Sequence, residues 1–149
     1  MSEVWKPHAT VATIVERDNH FLMVEEMSQG KIVYNQPAGH LDPNESLVEA
    51  AIRETQEETG WNFVPAYISG IYRWDQASTN RCFLRVTFVG NCDQHIEDQP
   101  LDDGIIRALW MTREELTVQS DKLRSPMVLA CIDDYLAGKR YPLELLTDI

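Results

Sequence analysis

The chain is short of positive charge and has no long hydrophobic run. Of its 149 residues, 24 are Asp or Glu and only 13 are Lys or Arg, which gives a formal net charge of -11. Because binding to nucleic acid or to an anionic membrane depends on clustered Lys and Arg, this charge argues against a surface that coats either. No apolar run approaches the roughly 18 residues of a membrane-spanning helix. We therefore expect a cytoplasmic protein without a membrane segment.

Cysteine is scarce as well. The three residues Cys82, Cys92 and Cys131 are odd in number and show no Cys-x-x-Cys spacing. A disulfide framework or a thiolate metal site needs paired, regularly spaced cysteines. The sequence therefore predicts reduced thiols that behave as small, partly buried apolar residues.

The rest of the composition is typical of a globular protein, with 44% apolar and 25% charged residues. The length suits one domain, which we place at residues 1–149. Runs of β-branched and apolar residues predict strands at residues 8–16, 20–26, 31–35, 67–74, 82–89 and 105–111. Because strands and helices are mixed without a regular βαβ alternation, we expect an α+β fold, an α/β/α sandwich with a mixed sheet and helices on both faces.

Three helices are predicted from their end signals. The first begins at Ser46, which forms a capping box with Glu49, and it ends before Gly60. Thr112 opens a second, short helix with the same capping pattern. The third begins at the Ser-Pro pair of residues 125–126 and reaches about residue 137.

The first helix carries an unusual set of carboxylates. At 3.6 residues per turn, Glu54, Glu57 and Glu58 lie within about 100° of the helix surface. The core-facing stripe consists of Leu47, Val48, Ala51, Ile52 and Thr55. The small side chain of Ala50 lies beside the carboxylates and is expected to leave a groove next to them.

These carboxylates disfavour an isolated helix. Glu54 and Glu58 are like charges at i,i+4, which costs about 0.3 kcal/mol. The helix dipole also disfavours anions near the C-terminus by about 0.5 kcal/mol each. Convergent carboxylates instead suit hard divalent cations, which take oxygen ligands. The pattern therefore predicts a site for Mg²⁺ or Mn²⁺.

Residues 39–61 resemble the Nudix box, G-x5-E-x7-R-E-U-x-E-E-x-G-U. All its fixed positions are present, namely Gly39, Glu45, Arg53, Glu54, Glu57, Glu58 and Gly60. The two U positions, usually bulky aliphatic residues, hold Thr55 and Trp61, a departure that affects packing rather than chemistry. The chain is thereby identified as a member of the Nudix hydrolase family.

The resemblance implies a Nudix fold with a loop–helix–loop motif and Mg²⁺-dependent hydrolysis of a phosphoanhydride in a small-molecule substrate. It implies that the metal ligands are the carboxylates of Glu54, Glu57 and Glu58 together with the carbonyl of Gly39. Glu45 and Arg53 would pair and orient the helix. The general base varies within the family, so that Glu54, Glu57 or an acid from a distant loop would take the proton.

A distal acid of this kind is expected where this chain has Gly104. Asp102 or Asp103 takes over that role, or both belong to a solvated acidic loop. Three other residues are candidates for substrate binding: Arg85 for phosphates, Trp74 for stacking and His40 for a phosphate contact. Each of them also fits an ordinary position in the core, at the surface or on the backbone.

Segments outside the box, at residues 6–11, 123–126 and 138–144, are most similar to the bacterial NudJ-type phosphatases within the family. This similarity implies orthophosphate release from nucleoside tri- or diphosphates, or from the pyrophosphate ester of hydroxymethylpyrimidine. The alternatives are a pyrophosphohydrolase that releases pyrophosphate or a nucleoside monophosphate, and a non-catalytic nucleotide-sensing module. A monomer and a homodimer are both compatible with the sequence.

Overall fold

The computed structural model describes residues 3–149, in which eight strands and three α-helices are present. The strands are β1 (His8–Ile14), β2 (Glu16–Arg17), β3 (His20–Ser28), β4 (Lys31–Asn35), β5 (Ala38–His40), β6 (Asn62–Gln76), β7 (Arg81–Asp93) and β8 (Ile105–Met111). The helices are α1 (Leu47–Thr59), α2 (Arg113–Val118) and α3 (Met127–Leu136), with short 3-10 helices at Ser120–Lys122 and Leu143–Leu145. None of the helices in this part of the chain has the length and apolar character that crossing a membrane requires.

The strands form two sheets. The first is mixed, with the order β5-β1-β7-β6, and its β1–β7 pair is parallel. In the second sheet β3 pairs antiparallel with β2, β4 and β8. The predicted α+β class with a mixed sheet and helices is confirmed. The division into two sheets was not predicted, because β-propensity marks a strand without identifying its partners.

The long hairpin of β6 and β7 extends beyond both predicted strands, which covered residues 67–74 and 82–89. The register of this hairpin shifts between Pro65 and Tyr67 and again between Ile68 and Gly70. A β-bulge lets a strand continue past residues that sequence rules treat as breaks. The prediction also missed β2 and β5, which have only two and three residues.

The turn between β2 and β3 consists of two residues with typical hairpin chemistry. Asp18 and Asn19 both have positive φ, 49° and 65°. Two successive residues with positive φ match the twist of an antiparallel pair, and Asn and Asp tolerate this conformation better than other non-glycine residues.

The core has two parts, which lie against different helices. One part packs α1 on Val11, Phe63, Phe88 and neighbouring residues, and the other packs α3 on Ile14, Met23 and Val89. Ala50 is fully buried in the first part, so the expected groove beside it is wrong. The free cysteines Cys82, Cys92 and Cys131 are all buried, as predicted.

Helix α1 is fixed at both ends by the signals in its sequence. The Ser46 side chain accepts a hydrogen bond from the Glu49 amide at 3.0 Å, and the Glu49 carboxylate accepts one from the Ser46 amide at 2.9 Å. Gly60 ends the helix with φ of 79°, the left-handed conformation that glycine adopts without strain. These caps determine where the acidic residues of the helix lie.

Ser46→Ala should lower the free energy of unfolding by about 1 kcal/mol, because it removes the acceptor for one helix N–H group. Urea denaturation monitored by circular dichroism measures this change. Ser78→Ala, at an exposed turn residue, is the matched control and should leave the midpoint unchanged. Equal midpoints for the two variants would contradict a stabilising role of the capping box.

Candidate metal and substrate site

The acidic residues of α1 lie against the backbone of β5. Gly39 in this strand is so close to the helix that a Cβ atom there would collide with the Glu54 carboxylate. A side chain at this position would have to displace the Glu54 carboxylate, whereas glycine allows the strand backbone and the helix to approach closely.

Three carboxylates converge at this point. One oxygen from each of Glu54, Glu57 and Asp102 lies within 4.8 Å of the others. Asp102 belongs to the loop between β7 and β8, and its amide donates a hydrogen bond of 3.0 Å to the Glu57 carbonyl. Of the two acids considered in this loop, both exposed, the structure brings Asp102 to the helix and leaves Asp103 outside this group.

Glu58 lies close to this group but has a different partner. Its Oε1 accepts a hydrogen bond of 2.9 Å from the Ala38 amide. Glu58 is nevertheless buried and lines the same cavity as Glu54. Two of the three predicted carboxylates thus belong to the convergent group, and the third is held at its edge by β5.

The electrostatics of these carboxylates are unfavourable without a cation. Burial raises the pKa of Glu54 to about 7, and the nearby Glu57 and Asp102 raise it as well. Burial also raises the pKa of Glu58 to about 9 in spite of its hydrogen bond from Ala38. Partial burial and the Asp102 carboxylate raise the pKa of Glu57.

Arg53 links this group to the preceding loop. Its Nε and Nη2 donate to the two carboxylate oxygens of Glu45 at 3.0 and 2.7 Å, which is the predicted pair. The hydrogen bonds from Arg53 lower the pKa of Glu45. Nη1 also donates to Glu54 at 3.0 Å and to Glu57 at 3.3 Å. Arg53 is therefore a counter-ion for both the loop and the helix.

A cavity of about 430 Å³ opens beside Gly39, Glu54 and Glu58. Its volume lies within the usual range for small-ligand sites. The candidate substrate residues Arg85, Trp74 and His40 all line this cavity. The Trp74 ring stacks on Phe83, with centroids 5.8 Å apart and an interplanar angle of 23°.

His40 makes contacts through both its side chain and its backbone. The ring Nε2 lies 3.1 Å from Nδ1 of His8, and partial desolvation together with His8 lowers the pKa of His40. The His40 carbonyl accepts a hydrogen bond of 3.0 Å from Arg53. The backbone role considered for this residue is therefore present beside its position in the cavity wall.

Sequence reasoning did not identify Glu26, Arg124, Asn35 and Gln36 as residues near the site. Arg124 forms an ion pair with the buried Glu26, and both line the cavity. Asn35 and Gln36 hydrogen-bond to Arg85. These partners come from distant parts of the chain, so no local spacing indicates them.

The donor set of the carboxylate group fits a hard divalent cation. It offers carboxylate oxygens from Glu54, Glu57 and Asp102, and the backbone of Gly39 lies close to the Glu54 carboxylate. Such oxygens are the ligands that Mg²⁺ and Mn²⁺ take in proteins, whereas softer metals prefer sulfur or nitrogen.

Comparison with known proteins identifies related sequences and structures. The NUDIX domain family model matches residues 6–129. The chain is 43% identical over 145 residues to Phosphatase NudJ of Escherichia coli (strain K12), across 97% of this chain and 94% of that protein. The structure of a NUDIX hydrolase from Nitrosomonas europaea has 46% sequence identity and a TM-score of 0.95, covering 97% of this chain and 98% of the other. MutT protein from Methanosarcina mazei Go1 shares the fold, at 23% identity and a TM-score of 0.71, over 93% of this chain and 100% of that one.

These findings confirm the resemblance seen in residues 39–61. The family model spans most of the chain, and the Nitrosomonas europaea structure extends the match over nearly its full length. Nudix hydrolases act on small-molecule substrates and generally use divalent metals, in agreement with the carboxylate group and its cavity. The chain therefore belongs to the Nudix hydrolase family and is a phosphoanhydride hydrolase.

Proposed function

We propose that this enzyme uses Mg²⁺ to hydrolyse a small nucleoside tri- or diphosphate, or a related pyrophosphate ester such as that of hydroxymethylpyrimidine, and releases orthophosphate. The observation that carries the proposal is the convergence of three carboxylates at the edge of a cavity that cationic side chains also line. The similarity to a protein named as a phosphatase supports orthophosphate as the product.

Glu54 and Glu57 are the first candidates to hold the metal, because their carboxylates already converge. Glu58 and the Gly39 carbonyl complete the proposed set, and Asp102 is an additional donor. Mn²⁺ has the same ligand preference and is expected to replace Mg²⁺. When bound, the cation neutralises phosphate oxygens and makes the attacking water more acidic.

Other residues of the box position these ligands, and one of the box carboxylates takes the proton. Arg53 and Glu45 hold the loop against α1 through two hydrogen bonds, so the helix face keeps its orientation. A carboxylate within hydrogen-bond reach of the water accepts its proton. Glu54 and Glu57 are the proposed bases, and the greater exposure of Glu57 allows it to pass the proton to solvent.

Trp74 and His40 are proposed to contact the organic part and the phosphates of the substrate. Trp74 and Phe83 present aromatic rings in the wall of the cavity. Aromatic side chains bind bases and other heterocycles by stacking, with little sequence or ring specificity. This arrangement fits a substrate that joins an aromatic ring to a phosphate chain.

Phosphorus NMR of the reaction products tests the proposed bond cleavage. With Mg²⁺ and a panel of nucleoside tri- and diphosphates and pyrimidine pyrophosphate esters, we expect the orthophosphate signal to grow. Pyrophosphate formed from nucleoside triphosphates would instead assign the chain to the pyrophosphohydrolases. No product with any substrate or metal would favour a nucleotide-sensing module.

Glu57→Gln and Glu58→Gln should each reduce Mg²⁺-dependent turnover by about 100-fold or more, because a bound metal contributes several kcal/mol to the transition state. Steady-state kinetics with Mg²⁺ measures this loss. Glu114→Gln makes the same change at an exposed acid of α2 and should leave turnover unaltered. Turnover at the wild-type rate in both box variants would contradict the metal assignment.

Gly39→Ala should reduce turnover by about 100-fold, because displacement of a catalytic group by about 1 Å has an effect of this size. The new Cβ would collide with the end of the flexible Glu54 side chain, which can move aside, so the melting temperature should change little. Kinetics and thermal unfolding of the same preparation separate the two effects. Wild-type turnover in this variant would show that the position of Glu54 against β5 is unimportant.

A further inference from the structure

Arg85 is a buried cation at the edge of the cavity. It lies on β7, a central strand of the mixed sheet, and only 4% of its surface is exposed. Phe83 precedes it by two residues and therefore faces the same side of the sheet. Both residues line the cavity that also contains Glu54 and Glu58.

The hydrogen bonds of Arg85 leave part of its guanidinium group unused. Nη1 donates to Gln36 Oε1 at 2.9 Å and lies 3.9 Å from the Cys131 sulfur, and Nη2 donates to Asn35 Oδ1 at 3.1 Å. A guanidinium has five N–H donors. Within residues 3–149, Nε has no acceptor although it is buried. One N–H of Nη2 is also left over after its bond to Asn35.

The charge of Arg85 is likewise uncompensated. Its partners Asn35, Gln36 and Cys131 are all neutral, and no carboxylate oxygen in residues 3–149 lies within 4.0 Å of its guanidinium nitrogens. Arg53, by contrast, is paired with several carboxylates. A buried charge is normally paired, because removing it from water is costly. A role in joining β4 to β7 explains the hydrogen bonds but does not require a charge.

The remaining cations of the cavity are in a different situation. Arg124 is neutralised by its ion pair with Glu26, while Lys31 and Arg81 are exposed to solvent. Exposed cations lose little by having no partner, since water solvates them. Arg85 is therefore the cavity residue for which an anionic ligand makes the largest difference.

We infer that Arg85 binds the oxygens of a substrate phosphoryl group inside the cavity. The inference rests on the proposed function in that the anion belongs to a phosphoanhydride substrate. The unpaired charge and the remaining Nη2 donor suit a phosphoryl anion, which arginine binds through charge-assisted hydrogen bonds. The carboxylate group of Glu54, Glu57 and Asp102 and the Arg85 side chain then act on different oxygens of one phosphate chain. Arg85 thereby selects substrates that carry a negatively charged phosphoryl group.

The binding of orthophosphate in the presence of EDTA tests this inference without turnover. Titration calorimetry should give a dissociation constant about 10-fold or more higher for Arg85→Gln than for the wild type, because charge-assisted hydrogen bonds are lost. Arg85→Lys keeps the positive charge but loses the planar guanidinium with its several fixed N–H donors, so a dissociation constant between those of the wild type and Arg85→Gln is expected. Arg73→Gln removes an exposed arginine outside the cavity and should bind phosphate as the wild type does. Equal binding by the wild type and Arg85→Gln overturns the inference.

A measurement on the wild type covers the case in which Arg85→Gln does not fold. In a nitrogen-15 spectrum, the Nε–H signal of Arg85, assigned with the folded Arg85→Lys variant, should shift when orthophosphate is added. Sodium chloride at the same ionic strength should not shift it. An unchanged signal, or an equal shift in sodium chloride, overturns the inference.

The two proposals can fail separately. If phosphorus NMR detects hydrolysis while phosphate binding does not depend on Arg85, the inference fails and the proposed function stands. If no substrate is hydrolysed but phosphate binding depends on Arg85, the chain has the anion site without the proposed activity.

Discussion

The arrangement of the site depends on keeping like charges together on a partly buried helix face. Glu54, Glu57 and Asp102 converge within 4.8 Å, and Glu54 and Glu58 are both buried. The raised pKa values of the three glutamates reflect this burial and their mutual repulsion. The capping box, the close approach of Gly39 and the ion pairs of Arg53 hold the helix in place against that repulsion. A divalent cation would turn this unfavourable arrangement into a binding site.

The acidic composition of the chain is concentrated in the segment that forms this site. Residues 39–61 contain six acids and one base, so much of the net charge of -11 belongs to the segment that forms the site. The cavity beside it also contains Arg85, a buried cation that has no carboxylate partner within residues 3–149. Negative charge for a metal and positive charge for phosphate oxygens therefore lie in one small cavity. An acidic protein can bind a polyphosphate in this way because the cation reverses the local charge.

The parts of the fold that local sequence signals determine could be predicted, and the long-range parts could not. The caps of α1, the hairpin at Asp18 and Asn19, and the Arg53–Glu45 pair follow from residues close in sequence. The approach of Asp102 to Glu57 depends on the path of the loop that joins β7 in the first sheet to β8 in the second. The partners of Arg85 and the pairing of Arg124 with Glu26 join parts of the chain that are far apart in sequence, for which no spacing rule exists. The burial of Ala50 was misjudged because periodicity defines a helix face without showing how closely that face packs.

The central claim is that the carboxylates of the box hold a divalent cation. Titration with Mn²⁺, followed by electron paramagnetic resonance, tests it most directly because the signal measures the concentration of free Mn²⁺ and no substrate is needed. The wild type should bind Mn²⁺ in competition with Mg²⁺, and Glu54→Gln should bind it much more weakly while keeping its fold. Equal Mn²⁺ binding by the wild type and a folded Glu54→Gln variant would contradict the account.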